Sequence, residues 1–238
     1  MLLPLGLMAQ ETRVSDANFI NWLQTLNTIS FNDKWSLQVE YQLRRAEGFK
    51  IAQQHLVRFG ANFKWHENIV VQGGYAWVST HPYGDFPIAA AGTFPEHRLY
   101  EQFLLKQQIN KWSFAHRFRL EQRWLAKMSA VAKGDIESWI FLNRFRYQFK
   151  VQRTLFNWGK KQTYLAIADE IFIGSGKNLG LNIFDQNRFL VQLGLKFNKN
   201  YSFELGYLNQ ILQQGKRVEN QTIVQRNNGL VFSSVLNF

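Results

Sequence analysis

From Asn18 onward the chain alternates apolar and polar residues with a period of two, in segments longer than soluble sheets use. Trp35, Leu37, Val39, Tyr41 and Leu43 oppose Ser36, Gln38, Glu40, Gln42 and Arg44. Val57, Phe59, Ala61, Phe63 and Trp65 oppose Arg58, Gly60, Asn62 and Lys64. Further on, Trp112, Phe114, Phe118 and Leu120 oppose Ser113, Ala115, Arg117, Arg119 and Glu121, and Phe189, Val191, Leu193 and Leu195 oppose Arg188, Gln192, Gly194 and Lys196. On a helix each apolar set would scatter around the axis; on a strand it makes one face. The pattern predicts strands near 18–30, 35–45, 54–66, 69–80, 96–109, 112–125, 137–150, 162–173, 184–197, 201–213 and 221–238. Most exceed the roughly 5–6 residues usual in soluble sheets and reach the roughly 9–11 of a tilted membrane strand.

The connections alternate in length. Short ones fall at 31–34, 67–68, 110–111 and 198–200, and long ones at 46–53, 81–95, 126–136, 174–183 and 214–220. A medium connection, 151–161, sits on the short side. Outer-membrane barrels pair short periplasmic turns with long outer loops in this way. Trp35, Trp65, Trp112, Phe197 and Tyr201 border the short turns, where an aromatic girdle is expected, and Trp22, Trp77, Trp124 and Trp139 are placed to form the opposite one. The strands number about eleven, whereas bacterial single-chain barrels carry an even number. Ten or twelve is therefore expected, with a short strand before Asn18 or an N-terminus that threads the lumen as ways to reconcile the count.

Composition agrees with an all-β, antiparallel, up-and-down transmembrane barrel of about 10–12 strands. Aromatic residues make up 16% of the 238, and the mean hydropathy is negative because each spanning strand is only half apolar. No apolar stretch of about 18 residues offers a transmembrane helix. With no cysteine, disulfides, thiol chemistry and a lipoprotein anchor are excluded. Residues 1–10, MLLPLGLMAQ, resemble the end of a signal peptide with Ala9 at the cleavage edge, which leaves 11–238 as one barrel domain.

The closing run Leu230–Phe238 puts Leu230, Phe232, Leu236 and Phe238 on one face and ends on an aromatic residue. Bacterial outer-membrane barrels commonly end so, and the barrel assembly machinery reads that strand; Phe238 is therefore the expected assembly signal. The runs Glu96-His97-Arg98-Leu99-Tyr100-Glu101-Gln102, His116-Arg117-Phe118-Arg119-Leu120-Glu121-Gln122-Arg123 and Asn143-Arg144-Phe145-Arg146-Tyr147 resemble an uncharacterised outer-membrane family, domain of unknown function 2490. Asp169-Glu170-Ile171-Phe172, Asp185-Gln186-Asn187-Arg188 and Gly206-Tyr207-Leu208-Asn209-Gln210 add to the resemblance, which covers nearly the whole mature chain. It implies a barrel in a Gram-negative outer membrane, in contact with lipid and lipopolysaccharide, and brings no activity.

Strand parity sends the charge inward. Arg98, Arg117, Arg119, Glu121, Arg123, Arg144, Arg146, Glu170 and Arg188 are the candidate lumen-lining or binding residues, joined by Glu40, Arg44, Arg58, Lys64, Lys106, Lys196 and Glu204. One reading is a solvated or salt-bridged interior that only holds the wall together, because buried charges need partners or water. The other is a basic constriction that selects small anionic solutes, consistent with a net charge of +11. The basic residues alternate along strands rather than forming one exposed patch, which argues against nucleic acid. Glu101 and Asp169 fall on the outer face by strict parity, so local β-bulges that turn them inward are expected.

Among enzymes, a lipid-modifying outer-membrane hydrolase would need a nucleophile and a base in register. No Gly-x-Ser-x-Gly elbow is present; His97 and His116 lie on adjacent strands, where they would approach one another. No metal-ligand spacing is seen, and no cofactor is expected. The readings, in order, are a porin-like channel with a basic lumen for polar or anionic solutes, a closed structural or surface-binding barrel, and a lipid-modifying enzyme.

Overall fold

The computed structural model describes residues 13–129, 131–132, 134–179 and 182–238; the expected signal-peptide remnant lies outside them. Among the described residues eleven strands form one closed barrel in which neighbours in sequence are neighbours in space. They are β1 (Arg13–Ser30), β2 (Trp35–Ala46), β3 (Ile51–His66), β4 (Ile69–Thr80), β5 (Phe94–Ile109), β6 (Trp112–Met128), β7 (Ile136–Trp158), β8 (Lys161–Ser175), β9 (Phe184–Lys196), β10 (Tyr201–Val218) and β11 (Gln221–Asn237).

The even number is corrected. In an up-and-down chain of eleven strands the first and last run the same way, so they close the barrel as a parallel pair. Their register runs from Arg13 opposite Thr222 to Thr28 opposite Asn237. Among the described residues no further strand precedes β1. At the foot of this seam the Phe238 N–H donates to the Thr28 carbonyl, and the Ser30 N–H donates to that of Phe238, both at 2.8 Å. All other neighbouring strands are antiparallel. The medium connection expected at 151–161 is instead strand: β7 runs down to Trp158, which pairs with Lys161 across a two-residue turn.

The short turns are written in local chemistry. In Phe31-Asn32-Asp33-Lys34-Trp35, Asn32 Oδ1 accepts the N–H groups of Lys34 at 2.9 Å and Trp35 at 2.8 Å. Phe197-Asn198-Lys199-Asn200-Tyr201 repeats the device, Asn198 Oδ1 accepting from Asn200 at 2.8 Å and Tyr201 at 2.9 Å. An asparagine that satisfies backbone donors two and three residues on ends one strand and starts the next.

The faces are inverted relative to a soluble protein. Phe59, Leu99, Phe118, Leu120, Phe145, Leu193 and Leu205 stand exposed on the outside, while Glu96, Arg98, Glu121, Arg144, Arg146 and Glu170 are buried inside. Trp35, Trp65, Trp112 and Trp158 are exposed beside short turns, and Trp77 and Trp139 are exposed near the other end. Trp22 departs from its expected place: it is 5% exposed and points into the lumen, as even-numbered β1 residues do.

The bulges expected at Glu101 and Asp169 are absent. Both strands keep unbroken register there, and both carboxylates face outward. Glu101 accepts from Gln122 Nε2 at 3.1 Å, and Asp169 from Asn187 Nδ2 at 3.0 Å. A neighbouring amide answers each carboxylate, so no change of parity is needed.

Candidate functional site

The lumen divides into a sealed upper part, toward the long loops, and an open lower part, toward the short turns. The seal begins with the 81–93 connection, which folds inward instead of standing above the barrel. Tyr83 is buried; its hydroxyl donates to Gln225 Oε1 at 3.3 Å and accepts from Gln53 Nε2 at 3.1 Å and Asn227 Nδ2 at 3.2 Å. The Phe86 N–H donates to Asp16 Oδ2 at 3.3 Å, and its carbonyl accepts from Gln214 Nε2 at 2.5 Å. One connection is thus latched to β1, β3, β10 and β11. Burial raises the Tyr83 phenol above its ordinary pKa. His81, where the connection starts, is held below the usual histidine value by burial and then by the charges of His55 and Arg45.

Beneath the latch lies a chain of alternating charge. Glu96 takes bidentate bonds from Arg98, at 2.7 and 2.8 Å, and from Arg123, at 2.5 and 3.2 Å. Arg123 comes within 4.0 Å of Asp185, which accepts from Arg144 Nη1 at 2.6 Å. Arg144 also donates to Glu121 Oε2 from Nε at 2.8 Å and Nη2 at 2.5 Å, and Arg146 Nη1 reaches Glu121 Oε1 at 2.6 Å. Arg146 continues to Glu170 at 2.9 Å, and Arg117 ends the chain on Glu170 at 2.8 Å. Glu121 is 1% exposed. Removing charges from water costs several kcal/mol each, and only partners at this quality of geometry offset it.

Aromatic rings carry the arginines that lie over them. Tyr100 lies against Gly60 and Gly74, which face each other across β3 and β4; a Cβ on either glycine would fall within 2.6 Å of the phenol. Those two glycines make room for a ring in the lumen, and the ring takes the Arg119 guanidinium at 4.6 Å and that of Arg58 at 5.6 Å. Trp22 takes Arg44 at 3.9 Å and Arg188 at 4.9 Å, and Phe172 takes Arg146 at 4.3 Å and Arg188 at 4.6 Å. Such contacts contribute roughly 0.5–2 kcal/mol, more when desolvated.

Below this layer opens a cavity of about 750 Å³. Its mouth lies between the short turns, at Asn32, Asp33, Lys34 and Glu67, and its closed end is made by Trp22, Arg44, Arg98, Arg119, Arg146 and Arg188. Gln38, Asn62, Lys64, Lys106, Lys150, Gln192 and Ser233 line the walls. Glu204, on the wall, accepts from Tyr164 and Gln192, both at 2.8 Å, with Lys150 Nζ at 3.6 Å.

Every lumen residue singled out from sequence lies on the inner face. Arg98, Arg117, Arg119, Arg146, Glu170 and Arg188 border the cavity, and Glu121, Arg123 and Arg144 lie in the layer above it. Glu96 escaped notice because the predicted strand began on it, although its even position marks it as inward. Asp185 carried no signal: Ile173 pairs with Phe184 and Phe172 with Gln186, so a bulge turns an odd-numbered residue into the lumen. The catalytic histidine pair is not assembled. His97 lies across from Trp124 and His116 across from Leu105, and each makes a hydrogen bond to a tyrosine, Tyr75 at 2.6 Å and Tyr147 at 2.9 Å. Among the described residues no group of three or more His, Asp or Glu side chains is arranged to hold a metal.

A family model described as "Protein of unknown function (DUF2490)" matches residues 19–221. The chain belongs to this family. No curated protein and no solved structure matches it. The DUF2490 match starts within β1 and reaches the first residue of β11, so it takes in the 81–93 connection and the charged layer, while Asp16, Gln225 and Asn227 of the latch and Ser233 of the cavity wall lie outside it.

Proposed function

We propose that this DUF2490 protein is a bacterial outer-membrane barrel whose basic lumen admits polar and anionic solutes from the periplasmic, short-turn end, in the manner of a small gated porin. The observation that carries this reading is the inversion of its faces: an apolar belt surrounds the barrel, and the charged interior holds a cavity of about 750 Å³ open at one end. From Trp112 to Gln122 the outward face of β6 rises about 25 Å, at about 3.3 Å per residue and a tilt near 40°, which is the height of a lipid-facing band. Full passage requires the 81–93 latch and the ion-paired layer to part. Phe238, at the foot of the seam, is the assembly signal in this reading, and lipid with lipopolysaccharide covers the belt.

The test is reconstitution in planar bilayers. A small anion-preferring conductance is expected, and it should grow when 84–92 is replaced by a short turn. The protein should fractionate with outer membranes and show heat-modifiable gel mobility; soluble periplasmic behaviour would sink the location. Deleting Phe238 should lower outer-membrane levels. A second reading, a closed barrel that binds partners at its surface, is favoured by the latch itself; it prevails if the loop-shortened form also fails to conduct.

A further inference from the structure

The charged layer does not balance. Among the described residues its nine arginines, Arg44, Arg58, Arg98, Arg117, Arg119, Arg123, Arg144, Arg146 and Arg188, meet five carboxylates, those of Glu40, Glu96, Glu121, Glu170 and Asp185. The excess collects at the closed end of the cavity. Arg44 donates to amide oxygens, those of Gln42 and of Gln54, the latter at 2.6 Å, and among the described residues to no carboxylate. Arg188 donates to Gln186 at 3.0 Å and, among the described residues, has no carboxylate in salt-bridge reach. Arg119 donates to Gln102, while its Nη1, on a side chain 2% exposed, has no hydrogen-bond partner; Glu121 stands 3.8 Å away.

We propose that Arg44, Arg119 and Arg188 form a binding site for the phosphate group of a small soluble phosphomonoester. Guanidinium forks match oxyanions in pairs of hydrogen bonds, and three cations that, among the described residues, hydrogen-bond to no carboxylate suit a group of nearly two charges with three terminal oxygens better than a carboxylate. Trp22 fixes two of the three, since Arg44 and Arg188 both lie over its ring while its Nε1–H is tied to Gln53 Oε1 at 3.0 Å. The cavity is much larger than a phosphate ion, and its polar walls at Gln38, Asn62 and Gln192 accept the rest of the ester. It opens along the barrel axis between the turns, the approach of a dissolved solute. The inference rests on reading the lumen as a solute cavity.

The test is calorimetric titration of the intact protein in non-ionic detergent at low salt. Glycerol 3-phosphate should bind once per barrel and inorganic phosphate more weakly, with no heat from glycerol. R188Q and R44Q should each weaken glycerol 3-phosphate binding tenfold or more, and K127Q, at an exposed ion pair near the long loops, should leave it unchanged. R188Q strands no carboxylate, so it should fold, which heat-modifiable mobility checks; R119Q is the replacement should it fail. Absence of binding to the folded protein, or full affinity in R188Q and R44Q, overturns the site. Binding of phosphatidic acid in mixed micelles without glycerol 3-phosphate overturns the soluble source. Detergent titration needs neither a membrane location nor conductance, so a barrel that binds but does not conduct loses only the channel reading, and one that conducts without binding loses only this site.

Discussion

The upper and lower halves of the lumen are built from the same residue types and behave as opposites. Above, Glu96, Asp185, Glu121 and Glu170 alternate with arginines in one ion-paired chain under a latched loop. Below, Lys64 and Lys106 line an open cavity, and Glu204 has a tyrosine, an amide and a lysine for company. Charge alone therefore does not say whether an interior is sealed or wet; the supply of carboxylates at the right register does. Where they match the arginines the lumen closes, and where they run short it leaves cationic surface.

The contrast breaks most sharply at Glu121. E121Q leaves Arg144 and Arg146 short of a buried counter-charge, and a loss of about 3–5 kcal/mol is expected, a fall in unfolding temperature on the order of 10 °C in detergent. An unchanged transition would mean that water already reaches the upper layer. Tyr83→Ala attacks the latch instead. It removes a buried ring and its hydrogen bonds to Gln53, Gln225 and Asn227, so about 2–3 kcal/mol of local stability should go, read as rapid proteolytic cutting within 81–93 while the barrel stays intact. Wild-type resistance would show that other contacts hold the plug.

Lys106→Gln sharpens the comparison from the lower side. Lys106 lines the open cavity without an ion pair among the described residues, and stability should stay within about 0.5 kcal/mol of the parent. A large loss there would erase the distinction between the halves. The smallest effect concerns pH. With its folded pKa below the unfolded value, His81 favours folding fully above the unfolded pKa, and that contribution declines as pH falls through it toward the folded pKa. Acidification from neutrality should thus modestly raise protease sensitivity of the 81–93 connection, and H81Q should flatten that dependence.

Much of this was legible in the chain because a period of two is a geometric statement. Once β6 is a strand, Arg117, Arg119, Glu121 and Arg123 share a face, and which residues enter the lumen follows. What escaped depends on local breaks or distant partners. Asp185 turns inward only through a bulge against β8. Trp22 has the parity of a lumen residue, but its place near a strand end suggested a girdle, and only Arg44 and Arg188 from other strands show what it supports. The inward fold of 81–93 is set by Asp16, Gln214 and Gln225, far away in sequence. Eleven strands were countable, yet the rule of even numbers pulled the expectation off by one.

The parallel closure has a kinetic consequence. Every antiparallel neighbour is joined by a connecting turn or loop, but β1 meets β11 only across about two hundred intervening residues, from Arg13 to Thr222. No turn can nucleate that contact, and parallel pairing holds slightly less per residue, so its loop-closure entropy falls at the end of folding. Until then the chain is an open sheet with two bare edges, the state most prone to pair with a stranger. Gly229 guards the last step: it lies opposite Ile20, and a methyl group there would fall 1.6 Å from the Ile20 carbonyl oxygen. The absence of one side chain lets the two ends of the sheet find each other.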